Sequence, residues 1–125
     1  MKTRAWRLIG PEAPAGLAPD DDIGVLTLAI ASDFIERLLG LFARPPLGAG
    51  DGLWIKPCRA VHSFGMRARI DLIFIDRHDR IVAIRHGLRP WRVAICVHAH
   101  SVVELRDGEA RRLRIVVGAR LVPDR

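Results

Sequence analysis

The sequence predicts an α+β domain built mainly from antiparallel strands, an open barrel-like or curled sheet with one principal helix over residues 32–42. Three observations carry this. Short apolar or alternating runs recur through the second half of the chain, divided by turns rich in Gly, Pro, Asp and Arg. Helical spacing is clear in one segment ahead of them. The chain has 125 residues, half of them hydrophobic, which suits one packed core and a curled sheet better than a two-layer sandwich.

The elements follow in order. Residues 1–24 are read as an N-terminal lead-in, because "GPEAPAGLAPDDD" concentrates Pro, Gly and Asp. Residues 25–122 are read as a single compact domain. "IGVLTLAIA" gives a strand centred on Val25 to Ala29. In "SDFIERLLGLFARPPL", Ser32 or Asp33 can cap a helix by accepting a backbone N–H. Phe34, Leu38, Leu41 and Phe42 then fall on one apolar face, and Pro45-Pro46 ends it. "GAGDG" is a turn and "GLWIK" a short strand. "IDLIFID" is apolar on both faces, which marks a central strand. "RHDR" turns it into "IVAIRH", completing a hairpin. "RVAICVHA" alternates, with Val93, Ile95 and Val97 on one face and Ala94, Cys96 and His98 on the other. "SVVEL" and "LRIVV" are two further strands, joined by "RDGEARR" as a turn or single helical turn.

Net charge is +6 and the isoelectric point about 10.9. Such a balance invites a nucleic-acid reading. Against it, the arginines are scattered from Arg4 to Arg125 among Asp and Glu, there is no tyrosine, and no aromatic-plus-basic stripe is visible. A solvated basic surface is the preferred account. Pro and Gly interrupt the N-terminal stretch before an apolar signal core forms, and no run is long enough to span a bilayer. The expectation is a cytoplasmic chain without membrane insertion. Cys58 and Cys96 are then reduced, two cysteines being no disulfide framework.

With these pieces in order, Phe34 to Leu121 resembles the domain of unknown function 192 family of small bacterial and archaeal proteins. "GLFARPPL", "GDGLWI", "LRPW", "VVEL" and "LRIVVGARL" carry the likeness. The most specific block is "CRAVHSFGMRARIDLIFIDRHDRIVAI". It matches a branch of the family with Cys, Val-His, Phe-Gly-Met and Ile-Asp at this spacing. The resemblance implies a compact, β-rich single domain and assigns no reaction. The chain departs from the family pattern at Arg106-Asp107-Gly108, where members show Pro-Ala-Gly. It departs again at Gly118-Ala119, where many members close with Gly-Asp. Cys96, His98 and His100 match no family position.

The chemistry-bearing candidates sit in two places. Cys58, His62 and Met66 recur every four residues, and Asp71 follows on a strand face with Ile73 and Ile75. A Cys58–His62 pair oriented by Asp71 is the outline of a cysteine-dependent enzyme. Pro57 and Gly65 oppose a helix there, and no oxyanion-hole motif accompanies the pair. The plainer reading is a turn entering a strand, with Cys58 a small buried group, Met66 a gap filler and Asp71 held by a structural bond. Cys96, His98 and His100 lie at alternate positions. If the strand continued, they would project from one face roughly 6–7 Å apart and offer a zinc or copper(I) site. A polar, solvent-facing strand side, or a Cys58–Cys96 bridge, explains the same residues. Trp91 in "LRPWR" is either a core anchor or an exposed stacking platform, and core packing is preferred.

The functional expectation is therefore a non-enzymatic binding or accessory module, with Cys58, His62, Met66, Asp71 and Trp91 around its cleft. No cofactor is expected. The partner is an unspecified small molecule or protein. A metal-binding protein and a cysteine-dependent enzyme are the alternatives.

Overall fold

The computed structural model describes residues 2–11, 22–32 and 47–124. Nine strands and one short helix are described: β1 (Lys2–Ile9), β2 (Asp22–Ala31), β3 (Asp51–Ile55), β4 (Ala60–His62), β5 (Ile70–Ile75), β6 (Ile81–Leu88), β7 (Val93–Ile95), β8 (Ser101–Arg106), α1 (Glu109–Arg112) and β9 (Arg120–Pro123). Seven strands form one sheet in the order β6-β5-β8-β3-β2-β1-β9, while β4 and β7 pair as a separate ribbon. Every pairing is antiparallel except β2 with β3. The fold is thus the α+β, curled-sheet class that the strand pattern predicts.

The curl brings the sheet's two edges together. Arg80 and Arg120 form a β-bridge between the start of β6 and the start of β9. Ile81 N–H donates to Ala119 O at 2.8 Å, Gly118 N–H to Ile81 O at 2.8 Å, and Leu121 N–H to Asp79 O at 3.0 Å. These bonds satisfy part of what would otherwise be two open strand edges. The result is a half-barrel stitched along one corner.

Each face of the sheet has its own core. Trp6, Leu8, Leu26, Leu28, Trp54, Ile73, Ile75, Val103, Leu105 and Leu121 pack inside the barrel. On the other face, Leu53, Ile55, Ile70, Leu72, Phe74 and Val102 meet Val61 and Ala94 of the β4–β7 ribbon. Strand β5 is buried at all six residues, because β6 and β8 flank it and both faces are covered. Trp6 and Trp54 meet edge to face at 4.8 Å, as core residues.

Three expectations change. Residues 2–9 are placed by the sequence reading in the lead-in, but they form β1. The alternation of buried Trp6 and Leu8 with more exposed Arg7 is the reason. "LRIVV" is not a strand: Arg114 has φ 55°, Ile115 N–H closes back onto Ala110 O, and the last strand begins at Arg120. The principal helix over residues 32–42 falls, beyond Ser32, outside the described residues. The described helix is α1, where "RDGEARR" is read as a turn or a single helical turn.

Candidate functional site

Asp71 has its side chain inside the barrel. It faces a β-bulge in β6, where His86 and Gly87 occupy the space opposite one β5 residue and Gly87 takes φ 59°. Asp71 Oδ1 accepts from Gly87 N–H at 2.8 Å, and Oδ2 accepts from Ala110 N–H at 2.9 Å in the first turn of α1. A carboxylate buried to 1 % exposure is therefore held by two backbone donors. Cys58 and Met66 pack against the core on the opposite face of the sheet. The structure does not bring Asp71 together with them.

The block at 58–66 is a turn and a short strand, as Pro57 and Gly65 require. The Cys58 thiol donates to Ala60 O at 3.1 Å. His62 Nδ1 accepts from Phe64 N–H at 3.3 Å. Neither Cys58 nor Cys96 is in a disulfide, and both are half-buried. Their segments are neighbours, since Cys96 N–H donates to Arg59 O and Cys58 N–H to His100 O, both at 2.9 Å.

The organising residue here is Ser63, which is fully buried. Its Oγ donates to Arg89 O at 2.6 Å and accepts from Arg92 N–H at 2.9 Å. Its carbonyl receives Trp91 N–H at 3.1 Å and Met66 N–H at 3.2 Å. One small side chain thus ties the 62–66 loop to the 89–92 loop. Sequence reading passed over it between His62 and Phe64; a serine inside an otherwise reactive-looking block carried the signal.

The tie assembles an aromatic ladder. His62 and Phe64 rings lie 5.0 Å apart, and Phe64 and Trp91 stack at 5.7 Å. Trp91 sits at φ 62° on the turn and is 64 % exposed, so it is a surface platform and not the core anchor preferred from sequence. The ladder runs onto the ribbon: His62 pairs with Val93 and Ala60 with Ile95. Val93 and Ile95 are 50 % and 67 % exposed, while Ala94 between them is buried. The alternation read in "RVAICVHA" holds over Val93–Ile95, where the apolar face is the outer one.

The three candidate metal ligands are not aligned on one strand. Strand β7 ends at Ile95, and the chain turns at Val97 and His98, so Cys96, His98 and His100 do not line up along a strand. Among the described residues no group of three His, Cys, Asp or Glu side chains is gathered as a metal site would need.

Two further features lie on the two faces of the sheet. A cavity of about 160 Å³ lies between β7 and the β5–β6 hairpin, lined by Phe74, Ala83, Ile84, Arg85, Ile95 and Cys96, with Ala94 at its side. At the barrel end Lys56 Nζ lies 3.5 Å from the Trp54 ring centroid and 5.7 Å from that of Trp6. Burial lowers the Lys56 pKa, and nearby Asp79 partly opposes the shift.

The two stretches that carry the ladder are basic in sequence. Residues 58–70 hold Arg59, Arg67 and Arg69, and residues 88–100 hold Arg89 and Arg92; neither stretch contains an Asp or Glu. All five arginines are exposed. Along the sequence they look interleaved with acids, but folding brings the two acid-free stretches side by side.

No helix among the described residues is long and apolar enough to cross a membrane. The DUF192 family model, described as "Uncharacterized ACR, COG1430", matches residues 17–123. The chain is similar to UPF0127 protein PYRAB11210 of Pyrococcus abyssi, 34 % identical over 71 % of this chain and 79 % of that one. It is 31 % identical to UPF0127 protein PF1050 of Pyrococcus furiosus, over 77 % of this chain and 85 % of that one. UPF0127 protein PH1112 of Pyrococcus horikoshii is 38 % identical over 53 % of this chain. That match spans only 59 % of the relative's length. Among solved structures, a Sinorhizobium meliloti 1021 protein named a "putative transcription regulator" superposes with a TM-score of 0.78 at 22 % identity. The match covers 98 % of this chain and 94 % of that one. A protein of unknown function from Novosphingobium aromaticivorans superposes with a TM-score of 0.73 at 20 % identity, over 94 % and 83 %. At those identities the structures share the fold, whereas the family model extends over most of the sequence: the chain belongs to the domain of unknown function 192 family.

Proposed function

We propose that this chain is a binding module without an enzymatic reaction of its own, and that its recognition surface is the outer face of the β4–β7 ribbon with the His62–Phe64–Trp91 ladder. The observation that supports this is the exposure of Phe64, Trp91, Val93 and Ile95 as one connected apolar face. Scattered apolar residues on a surface need no explanation, but a contiguous group on a rigid support marks a contact site. The support is rigid because Ser63 fixes both loops and the ribbon's inner face is part of a core.

This reading keeps the 58–66 block as the place of function and shifts the chemistry within it. Cys58 and Met66 serve as packing beneath the face. His62 is the innermost rung of the ladder, and Phe64 and Trp91 make the contact. Asp71 shapes the scaffold from inside the barrel. The motif that the sequence assigns to one branch of the family is, on this proposal, the part that builds the face.

The test is binding of an anionic aromatic probe, anilinonaphthalene sulfonate. The folded protein should enhance its fluorescence, and the double variant Phe64→Ser/Trp91→Ser should lose that enhancement while keeping the parent's circular dichroism and unfolding midpoint. A folded wild-type chain that leaves the probe unchanged, or a double variant that binds it equally, refutes the proposal.

A further inference from the structure

We infer that the ladder face is a peripheral docking surface for anionic lipid bilayers. The inference rests on the proposed binding face and names its occupant. Phe64 and Trp91 stand on two adjacent turns, at the positive-φ positions Gly65 and Trp91, and project to 49 % and 64 % exposure. Aromatic side chains of this kind favour the headgroup level of a bilayer, where the ring is half wet. Arg67 follows the first turn, and Arg89 and Arg92 bracket the second. Arginines beside an apolar wedge reach lipid phosphates while their stems lie along the hydrocarbon boundary.

Charge decides between occupants. The two stretches that build the face carry five arginines and no carboxylate; Asp107 lies beside Arg69 at Gly87, which leaves Arg67, Arg89 and Arg92 as the arginines next to the wedge. A second copy of the chain would set arginines against arginines across the twofold axis, which is unfavourable. A single-stranded nucleic acid needs open ring faces for its bases. Here Phe64 stacks on Trp91, His62 lies tilted against Phe64, and the surface continues as aliphatic Val93 and Ile95. A fluid anionic surface asks only for positive charge and a shallow apolar wedge, and the face supplies both. Docking needs no spanning element: Phe64 and Trp91 enter the headgroup region while the ribbon lies flat upon it.

The experiment is flotation of the full chain with vesicles of phosphatidylcholine alone and of phosphatidylcholine mixed with phosphatidylglycerol, at low and at raised salt. Trp91 is the exposed tryptophan, Trp6 and Trp54 being buried, so its fluorescence reports insertion directly. Wild type should float with the anionic vesicles, shift its emission to the blue, and be quenched by lipids brominated on the acyl chain. Raised salt should release it. Arg89→Ser/Arg92→Ser should weaken binding by about fivefold for each arginine removed, and Phe64→Ser/Trp91→Ser should abolish it. Absence of flotation with anionic vesicles overturns the inference, as does equal binding to neutral ones. Dimerisation through Trp91 in sedimentation, or binding of a single-stranded oligonucleotide in preference to vesicles, overturns it equally. Where the dye probe still binds and vesicles do not, the lipid assignment falls and the binding face stands; where neither binds, both fall.

Discussion

Asp71 and Ala110 meet inside the barrel, the carboxylate Oδ2 receiving the first-turn N–H of α1 at 2.9 Å. The other oxygen receives Gly87 N–H at the β6 bulge. One side chain on the central strand therefore holds both a bulge and a helix start. Asp71→Ala leaves two donors unsatisfied, and at about 1–3 kcal/mol for each such group it should cost about 2–6 kcal/mol. Asp71→Asn keeps one acceptor oxygen and should cost clearly less. Urea unfolding of both variants checks this, with the probe-binding face expected to survive in whatever fraction folds.

Ser63 makes the second prediction. Its hydroxyl joins Arg89 O to Arg92 N–H across the two loops that carry Phe64 and Trp91. Ser63→Ala removes two hydrogen bonds at a buried position, for a loss of about 1–3 kcal/mol. The more telling consequence is local. Without the tie, the Phe64–Trp91 stack should loosen, seen as faster acrylamide quenching of Trp91 with Trp6 and Trp54 unaffected. Ser63→Thr should substitute only in part, because it adds a methyl at a fully buried position.

These two residues show where the sequence was readable. Asp71 could be placed on the Ile73 and Ile75 face from period-two alternation alone, and a paired, structural carboxylate was the sensible expectation for it. Strands β5, β6 and β8 are legible as short apolar runs bounded by turns. The ladder was not. It depends on Ser63 bridging 26 residues to Arg89 and on the pairing of β4 with β7, both long-range events that leave no local period. Trp91 looked like a core anchor because exposed tryptophan is uncommon, and only the tertiary turn at φ 62° pushes it outward. The alternation in β7 was visible, but which face meets the core is decided by the ribbon's neighbours and not by its own residues. The lead-in at residues 2–9 was masked by its charge, although Trp6 and Leu8 already alternated with Arg7.

Gly52 gives a third prediction, drawn from close packing. A Cβ built there would lie 2.7 Å from Leu28 Cδ2, 2.8 Å from Leu105 Cδ2 and 3.0 Å from the Glu104 carbonyl oxygen. The first two contacts can shift only within a filled barrel core, and the third is backbone. Gly52→Ala should destabilise by about 1–3 kcal/mol through overpacking. Gly50→Ala is the control: a Cβ there meets nothing within 4 Å, but φ 75° strains it, for a smaller cost of about 1 kcal/mol. Thermal unfolding of the pair separates crowding from backbone strain.

Acid sensitivity follows from Glu109. Its carboxylate is buried, receives Arg112 through Nε at 2.8 Å and Nη2 at 2.6 Å, and accepts Gly50 N–H at 3.0 Å. The hydrogen bonds from Arg112 hold its pKa below the ordinary 4.5, against the opposing push of burial. A carboxylate whose folded pKa is depressed stabilises fully above its unfolded value and loses that contribution as pH falls through the folded one. The wild-type unfolding midpoint should therefore hold from neutrality down to about pH 5 on account of this group, then decline below the ordinary 4.5. Glu109→Gln should start lower at pH 7, by about 1–2 kcal/mol, because it forfeits the charge-assisted pair while keeping an acceptor for Gly50. Its decline below pH 4.5 should be shallower, so that the two stability curves converge in acid. Curves that stay parallel down to pH 3 would show that the Glu109–Arg112 pair contributes nothing to the acid limb.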